Sequence, residues 1–383
     1  MKTWDVIIVG GGIIGLSLSI ALRKRGASVL VVERGEPCRE ASHAAGGMLV
    51  DCPLETPRLL QSLASASVSM YPEFVYELEM ESGVNVDLRD YGTILFPTGE
   101  HIAHPQFQTA KLGAIDLAVD EPALGMPRFE EELEMRASLH GRDLSTSSAE
   151  LAEALRFPFE NRFYVKERSL DPRALGAAVH KTAKLRGVDF SSGDAVTGVE
   201  LHDGRATGVT TTKTSFAAAK VVNCAGAWSG QIGPHRFPTR PVKGQMLCLI
   251  MPSRSLLKHV IRSPHAYLIP RSDGRLLVGA TVEEAGFDKR TNPETIQLLH
   301  RAALQLVPKL KDAKILEDWA GLRPGTPDAL PILGATSTPG YYVATGHFRD
   351  GILLAPITAE VMTDLIEGQP PHYDLAPFSP LRF

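Results

Sequence analysis

Cysteine is scarce and scattered. Cys38, Cys52, Cys224 and Cys248 are the only four in 383 residues, and no two form a CxxC pair. That spacing excludes a disulfide framework and the common zinc sites, and it suits a reducing compartment. Charge of one sign is also missing: 40 basic against 44 acidic residues leave a net charge of −4. No basic excess points to nucleic acid, and no polybasic run points to an anionic membrane. The 12 histidines are dispersed without metal-ligand spacing, so no metal is expected, and no Ser/His/Asp set suggests a triad. Internal repeats and low-complexity tracts are absent. The long apolar run at 6–22 has three glycines at its centre, Lys2 as its only basic N-terminal flank, and Arg23, Lys24 and Arg25 after it. No small-residue cleavage site follows. It reads as a strand, a glycine turn and a buried helix rather than a signal peptide or anchor, and a cytoplasmic protein is expected.

What is present begins with composition. Hydrophobic residues at 44% and charged residues at 22% are ordinary for a globular protein. The length exceeds what one core usually holds, so two domains are expected. A dinucleotide fingerprint opens the chain at 5–15 (DVIIVGGGIIG). A β-branched strand precedes it, a helix over 14–25 follows, Gly26 stops that helix, and a second strand covers 28–33. Gly10 permits the tight turn, Gly12 admits a pyrophosphate to the backbone, and Gly15 lets helix pack on strand. Amides at the helix start, around Ile13 and Ile14, face the phosphates with the helix dipole. Glu33 is placed to accept from an adenosine ribose and argues against a 2′-phosphate. Arg34, beside it, is counted with the cofactor-binding residues.

The rest of the chain alternates in texture. Thr56-Pro57 predicts an N-cap and first turn of a helix running towards Gly83, with a kink at Pro72. Residues 86–96 read as strands, and a Glu-, Ala- and Leu-rich stretch with helical periodicity follows. Asp171-Pro172 caps a helix ending at Gly187. Strands are expected at 188–199, 206–210, 246–250, 267–270 and 276–278, with turns at 202–205 and 272–275. Residues 220–229 (KVVNCAGAWS) form a strand entering a glycine turn, and 352–366 the final helix, which Pro370-Pro371 follows. The expected fold is α/β: an FAD-binding Rossmann-like (βαβ) domain with an interleaved antiparallel-sheet α+β substrate domain. The expected boundaries are 1–84, 171–234 and 321–383 for the first domain, and 85–170 and 235–320 for the second.

Two further segments carry chemistry. Residues 41–49 (ASHAAGGML) are small, so backbone can lie against a ligand. Ala41 and Ser42 suit a phosphate, and Gly46, Gly47 and Met48 suit a flat ring. Residues 346–356 (GHFRDGILLAP) put Arg349 in a glycine turn before a helix. These segments and the fingerprint resemble the D-amino-acid oxidase superfamily of FAD enzymes. With 241–246 (PVKGQM), 267–271 (YLIPR), 279–281 (GAT) and 319–326 (WAGLRPGT), the resemblance is strongest to its glycine oxidase branch in the thiamine pathway, in the same order over nearly the whole chain.

The resemblance implies noncovalent FAD, since no cysteine stands in the context of covalent attachment. It also implies a small amino acid substrate and oxygen as the electron acceptor. Arg323, on a turn stiffened by Pro324, offers a planar fork for the substrate carboxylate, and Tyr267 donates to the same group. Arg349 stands beside the flavin and substrate. His347, Phe348, Arg349, Asp350, Gly351, Ile352 and Leu353 would surround the flavin pyrimidine, with His347 packed rather than acting as an acid or base. Val196 matches the position whose backbone meets the adenine. Asp350 replaces an expected asparagine and partly neutralises Arg349. Val282 replaces a frequent methionine and opens the wall, so the preference for glycine over sarcosine, D-proline or another small D-amino acid is left open. A quinone-linked dehydrogenase and a flavin-binding scaffold without turnover are the alternatives. The relatives often form homo-oligomers, but no stripe in the sequence marks an interface.

Overall fold

The computed structural model describes residues 2–51, 55–96 and 163–383. Strand β1 (Thr3–Val9), helix α1 (Ile13–Lys24) and strand β2 (Val29–Glu33) form the expected βαβ unit. Val6 to Val9 and all five residues of β2 are buried, as a parallel strand covered on both faces requires. Helix α1 is buried along most of its length. It meets β1 at Gly15, where a Cβ would stand 2.1 Å from the Gly10 carbonyl oxygen.

Next come a single helical turn, α2 (Ala41–Ala44), then β3 (Met48–Leu49) and the long helix α3 (Gln61–Ser82). Strands β4 (Thr93–Leu95), β5 (Phe163–Val165) and β6 (Arg168–Ser169) lead into α4 (Pro172–Leu185). Asp171 caps α4 by accepting from Arg173 N and Ala174 N. Strands β7 (Asp189–Ser192), β8 (Val196–His202), β9 (Arg205–Thr211) and β10 (Ser215–Asn223) follow. Then come β11 (Arg240–Ile250), β12 (Val260–Arg262), β13 (Tyr267–Pro270), β14 (Arg275–Gly279) and helix α5 (Pro293–Leu306). The chain finishes with β15 (Lys314–Gly325), β16 (Ile332–Ala335), β17 (Tyr341–Thr345) and α6 (Ala355–Glu367).

The first sheet runs β16-β17-β10-β1-β2-β7, with β9 also on β10 and β8 on β9. Its central pairs β17–β10, β10–β1, β1–β2 and β2–β7 are parallel. Strands from the beginning, middle and end of the chain therefore meet in one sheet. The Gly10 turn leaves its central strand between β2 and β10, the crevice where open α/β sheets bind ligands.

The second sheet runs β15-β11-β14-β13-β12-β4-β5 and is antiparallel except for β12–β4. Side chains alternate across it. Leu247, Leu249, Leu268, Leu276 and Val278 pack with Ile296, Leu299, Ala303 and Leu306 of α5. Met246, Cys248, Ile269 and Leu277 form a separate cluster on which Met48, Tyr267 and Trp319 rest. The alternation turns Tyr267 away from α5. Strand β15 stays paired with β11 through residues 320 and 321 to the Arg240↔Gly325 rung, where the sequence reading puts a junction.

Several expectations need correction. Thr56 does not cap α3: its hydroxyl donates to the Val50 carbonyl, and the chain enters the helix through a 3-10 turn, Arg58–Leu60, behind Pro57. The helix contains Pro72 and ends, as expected, at Gly83. Of residues 86–96 only β4 is a strand. The strand expected over 188–199 is split, because buried Asp194 accepts from Ser191, Thr212 and the Lys213 amide and holds a turn there. The last helix begins at Ala355, three residues later than expected, after a turn in which Asp350 N donates to His347 O. The Glu-, Ala- and Leu-rich stretch lies outside the described residues. Among the described residues no helix is long and apolar enough to cross a membrane.

Gly15→Ala should therefore lower the urea midpoint of unfolding with little change in slope. The overpacked contact costs about 1–3 kcal/mol. An unchanged midpoint would show that the turn relaxes freely.

Candidate active site

A cavity of about 1180 Å3 is lined by residues of both sheets, which exceeds the ~300–1,000 Å3 of most small-ligand sites. Gly10, Gly12, Ile13, Ile14, Glu33 and Arg34 line one part of it, with Ala41, Ser42, Gly46, Gly47 and Met48. Gly12 is the N-cap of α1 without a side-chain cap. The Ile13 amide donates to Ser42 Oγ at 3.0 Å, so this serine shares the helix N-terminus with whatever anion lies there.

Glu33 has a structural task the sequence did not reveal. Its carboxylate accepts from Gly11 N at 2.7 Å and from Gly35 N at 2.9 Å, fixing the glycine turn from behind. Arg34 lies 3.5 Å from the ring centroid of Trp228 and pairs with Glu40 at 2.6 Å. Trp228, Ala225 and Gly226 line the cavity as well. Their signal was the glycine turn after β10, which reaches the same crevice because β10 neighbours β1. Val196 lines the wall beside Ala195 and Thr197.

The other part of the wall holds Tyr267, Arg323 and the loop His347, Phe348, Arg349, Asp350, Gly351 and Ile352. Gly15 and Leu353 are not in the wall. Gly15 is the contact beneath α1, and Leu353 is core, its carbonyl accepting from Ser67 Oγ at 2.6 Å.

Arg323 is not on a turn. It sits in β15 opposite Val242, and Pro324 faces Pro241 across the same ladder. Two prolines facing one another leave no N–H without a partner there, which lets the strand continue through a sequence that reads as a turn. The guanidinium donates to Thr281 O at 3.0 Å and lies so close to Gly244 that a Cβ there would stand 2.2 Å from Nη1. Tyr267 is placed the same way: a Cβ on Gly279 would be 2.7 Å from its hydroxyl.

The Tyr267 hydroxyl donates to Met246 Sδ at 3.3 Å. Burial pushes this phenol up, against the opposing pull of Arg323 and Arg349. It therefore stays protonated, a donor rather than a base. His347 is buried, its Nε2 is 3.1 Å from Thr358 Oγ1, and burial pushes it down to about 3. It is a neutral packed residue. Burial raises Asp350 to about 6, with Arg349 opposing and Glu55 adding. Glu55 pairs with Arg262 at 2.7 Å, and Arg262 pairs with Glu167 at 3.0 Å. Glu55 and Arg262 line the cavity, yet nothing in their local sequence marks them. Val282 stands at the cavity edge, 54% exposed.

A model of the FAD dependent oxidoreductase family (DAO) matches residues 5–365. The glycine oxidase of Pseudomonas putida is 32% identical over 98% of this chain and 98% of its own length. The bifunctional protein ThiO/ThiG of a Nostoc species is 35% identical over 96% of this chain. The chain spans about half the length of such bifunctional relatives, 53% in this case. The crystal structure of glycine oxidase from Geobacillus kaustophilus superposes with a TM-score of 0.83 at 31% identity, covering 100% of both chains.

Two outcomes are expected. Gly244→Ala should displace the Arg323 fork and weaken binding of a small carboxylate such as glycolate by about tenfold or more, read by calorimetry. In the parent, glycolate should bind more tightly as pH falls through about 6, because protonation of Asp350 leaves Arg349 uncompensated. Asp350→Asn should flatten that rise, and a parent profile rising towards high pH would contradict the assignment.

Proposed function

The chain belongs to the FAD-dependent oxidoreductase family whose model spans residues 5–365, and from that premise we propose that it oxidises a small amino acid, glycine foremost, at its Cα–N bond. One observation carries the reading: Arg323 and the protonated Tyr267 share a cavity wall with the dinucleotide fingerprint. The glycine turn, the N-terminus of α1 with Ser42 beside it and the bare backbone at Gly46 and Gly47 fit FAD, which when bound supplies a hydride acceptor. Cys224 lines the cavity beneath Gly10, but burial pushes its thiol up and keeps it protonated. No cysteine stands in the context of covalent attachment, which supports a noncovalently held cofactor.

The residues divide the work. Arg323 offers two parallel donors to the substrate carboxylate, and Tyr267 offers a third. With the carboxylate fixed, the Cα–H has one orientation towards the ring, and this positioning supplies much of the rate. Arg349 adds positive charge where negative charge develops, tempered by Asp350. The amine loses its proton before oxidation, and no strong protein base is needed. Glycine, oxygen and water then give glyoxylate, ammonia and hydrogen peroxide. The fused ThiO/ThiG relatives support a place in thiamine synthesis, where the imine feeds the thiazole. The proposed FAD unit comprises 1–84, 171–234 and 321–383, and the substrate unit 85–170 and 235–320. The composition supports a cytoplasmic location.

A second reading rests on Val282. Its exposure at the cavity edge leaves room for sarcosine, D-proline or another small D-amino acid.

Arg323→Ala should keep its flavin spectrum and lose most turnover of glycine, about 100-fold or more. Full activity in that variant would remove the assigned role. Anaerobic bleaching of the parent flavin by glycine, sarcosine and D-proline ranks the substrates. Peroxide yield in air separates an oxidase from a dehydrogenase.

A further inference from the structure

Among the described residues Arg271 is the largest fully enclosed side chain, at 1% exposure. It follows β13, at the start of the turn into β14, and runs back beneath the segment that faces the cavity. Its Nη2 donates to the Gly46 carbonyl at 2.6 Å. Nε and Nη1 are buried and have no hydrogen-bond partner among the described residues. Asp171 is its strongest compensating charge, ahead of Asp87, but that carboxylate is itself bonded to Arg275 at 2.6 Å. A cation with two orphaned donors is a costly way to fill an apolar volume. Burial accordingly pulls the guanidinium down to about 10.

What the arginine secures is one peptide plane. Gly46, Gly47 and Met48 line the cavity, whereas Arg271 does not. The Gly46 carbonyl is turned outward onto the guanidinium. In a planar trans peptide the following N–H points from the opposite edge. The Gly47 N–H is thus directed to the cavity side, and no acceptor among the described residues takes it. Leu170 N donates to Gly47 O at 2.8 Å, and Met48 pairs with Ser169, so the next peptide is held independently. The Gly46–Gly47 peptide is held by Arg271.

We infer that Arg271 is a positioning residue for the cofactor: it turns and polarises the Gly46–Gly47 peptide so that the Gly47 N–H donates to the flavin ring, and it sets a fixed positive charge behind that bond. The inference rests on the proposed FAD reading. The charge and the donor both favour the reduced, more electron-rich ring, so their loss weakens FAD binding and makes the midpoint potential more negative.

The test uses the full-length protein with Arg271→Lys, which keeps the charge and one donor, and with Arg271→Gln and Arg271→Met, which lose the charge. FAD affinity of each apoprotein is read by fluorescence titration, the bound flavin by its visible spectrum and midpoint potential, and apoprotein stability by urea unfolding. R271Q and R271M should bind FAD about tenfold or more weaker, with a shifted spectrum and lower potential, and R271K should recover most of both. R271Q alone suffices if R271M does not fold. The inference is overturned if R271Q retains the parent affinity, spectrum and potential. It is equally overturned if R271K falls as far as R271Q while all variants lose apoprotein stability in step, which would mark a packing role. A parent apoprotein that takes up no FAD would overturn the cofactor reading along with this one.

Discussion

Arg323 reaches the cavity because the strand beside it has no side chain at the point of contact. Its guanidinium occupies the space that a Cβ of Gly244 would fill, and Tyr267 occupies the space beside Gly279 in the same manner. β11 carries Gly244 between β15 and β14, and β14 ends at Gly279 beside β13. Two neighbouring strands thus give up side chains so that two long polar ones can lie over bare backbone. The fork gains rigidity from this contact and from the Thr281 carbonyl that receives one of its N–H groups. A guanidinium held in this way has little conformational entropy left to lose on binding an anion.

The same sheet separates two environments by alternation. Leucine and valine side chains face α5, and the opposite face carries methionine, tyrosine and the arginine. A register slip of one residue would exchange them. The electrostatic character of the cavity follows from that division. Four guanidinium groups, of Arg34, Arg262, Arg323 and Arg349, line it, and the carboxylates of Glu33, Glu40, Glu55 and Asp350 temper them. Burial works in one direction throughout, favouring the uncharged form: it keeps Tyr267 protonated and His347 neutral, and it raises Asp350 to about 6. The cavity therefore presents donors and positive charge, and the carboxylate beside Arg349 is raised by burial to about 6.

Helix α1 and the second-sheet cations meet through the 41–48 segment. Ser42 satisfies the α1 N-terminus from one side, and Arg271 takes the Gly46 carbonyl from the other. Trp319 of β15 donates to Ala44 O at 3.2 Å. A run of small residues that looks like a plain loop is thereby fastened at several points. Its rigidity belongs to its neighbours, since alanine and glycine offer little of their own.

Much was legible in the chain itself. The βαβ unit, the capped helix after Asp171, the hairpin turns and the glycine turns are local, because they follow from periodicity, capping and residues that tolerate left-handed backbone. The grouping of Tyr267, Arg323 and Arg349 was also legible, through the resemblance of the motifs that carry them. Other features depended on partners remote in sequence. Arg323 lies in a strand because Pro241 stands opposite Pro324, and Glu33 braces the turn as well as facing the cavity. The Glu55–Arg262–Glu167 chain and the anchoring of Gly46 by Arg271 join residues that no short window contains. Local sequence determines which backbone shapes are permitted. Which of those shapes face one another, and so which charges are buried and which donors remain free, is decided only when distant strands pair, because desolvation and hydrogen bonding depend on what each group meets in space.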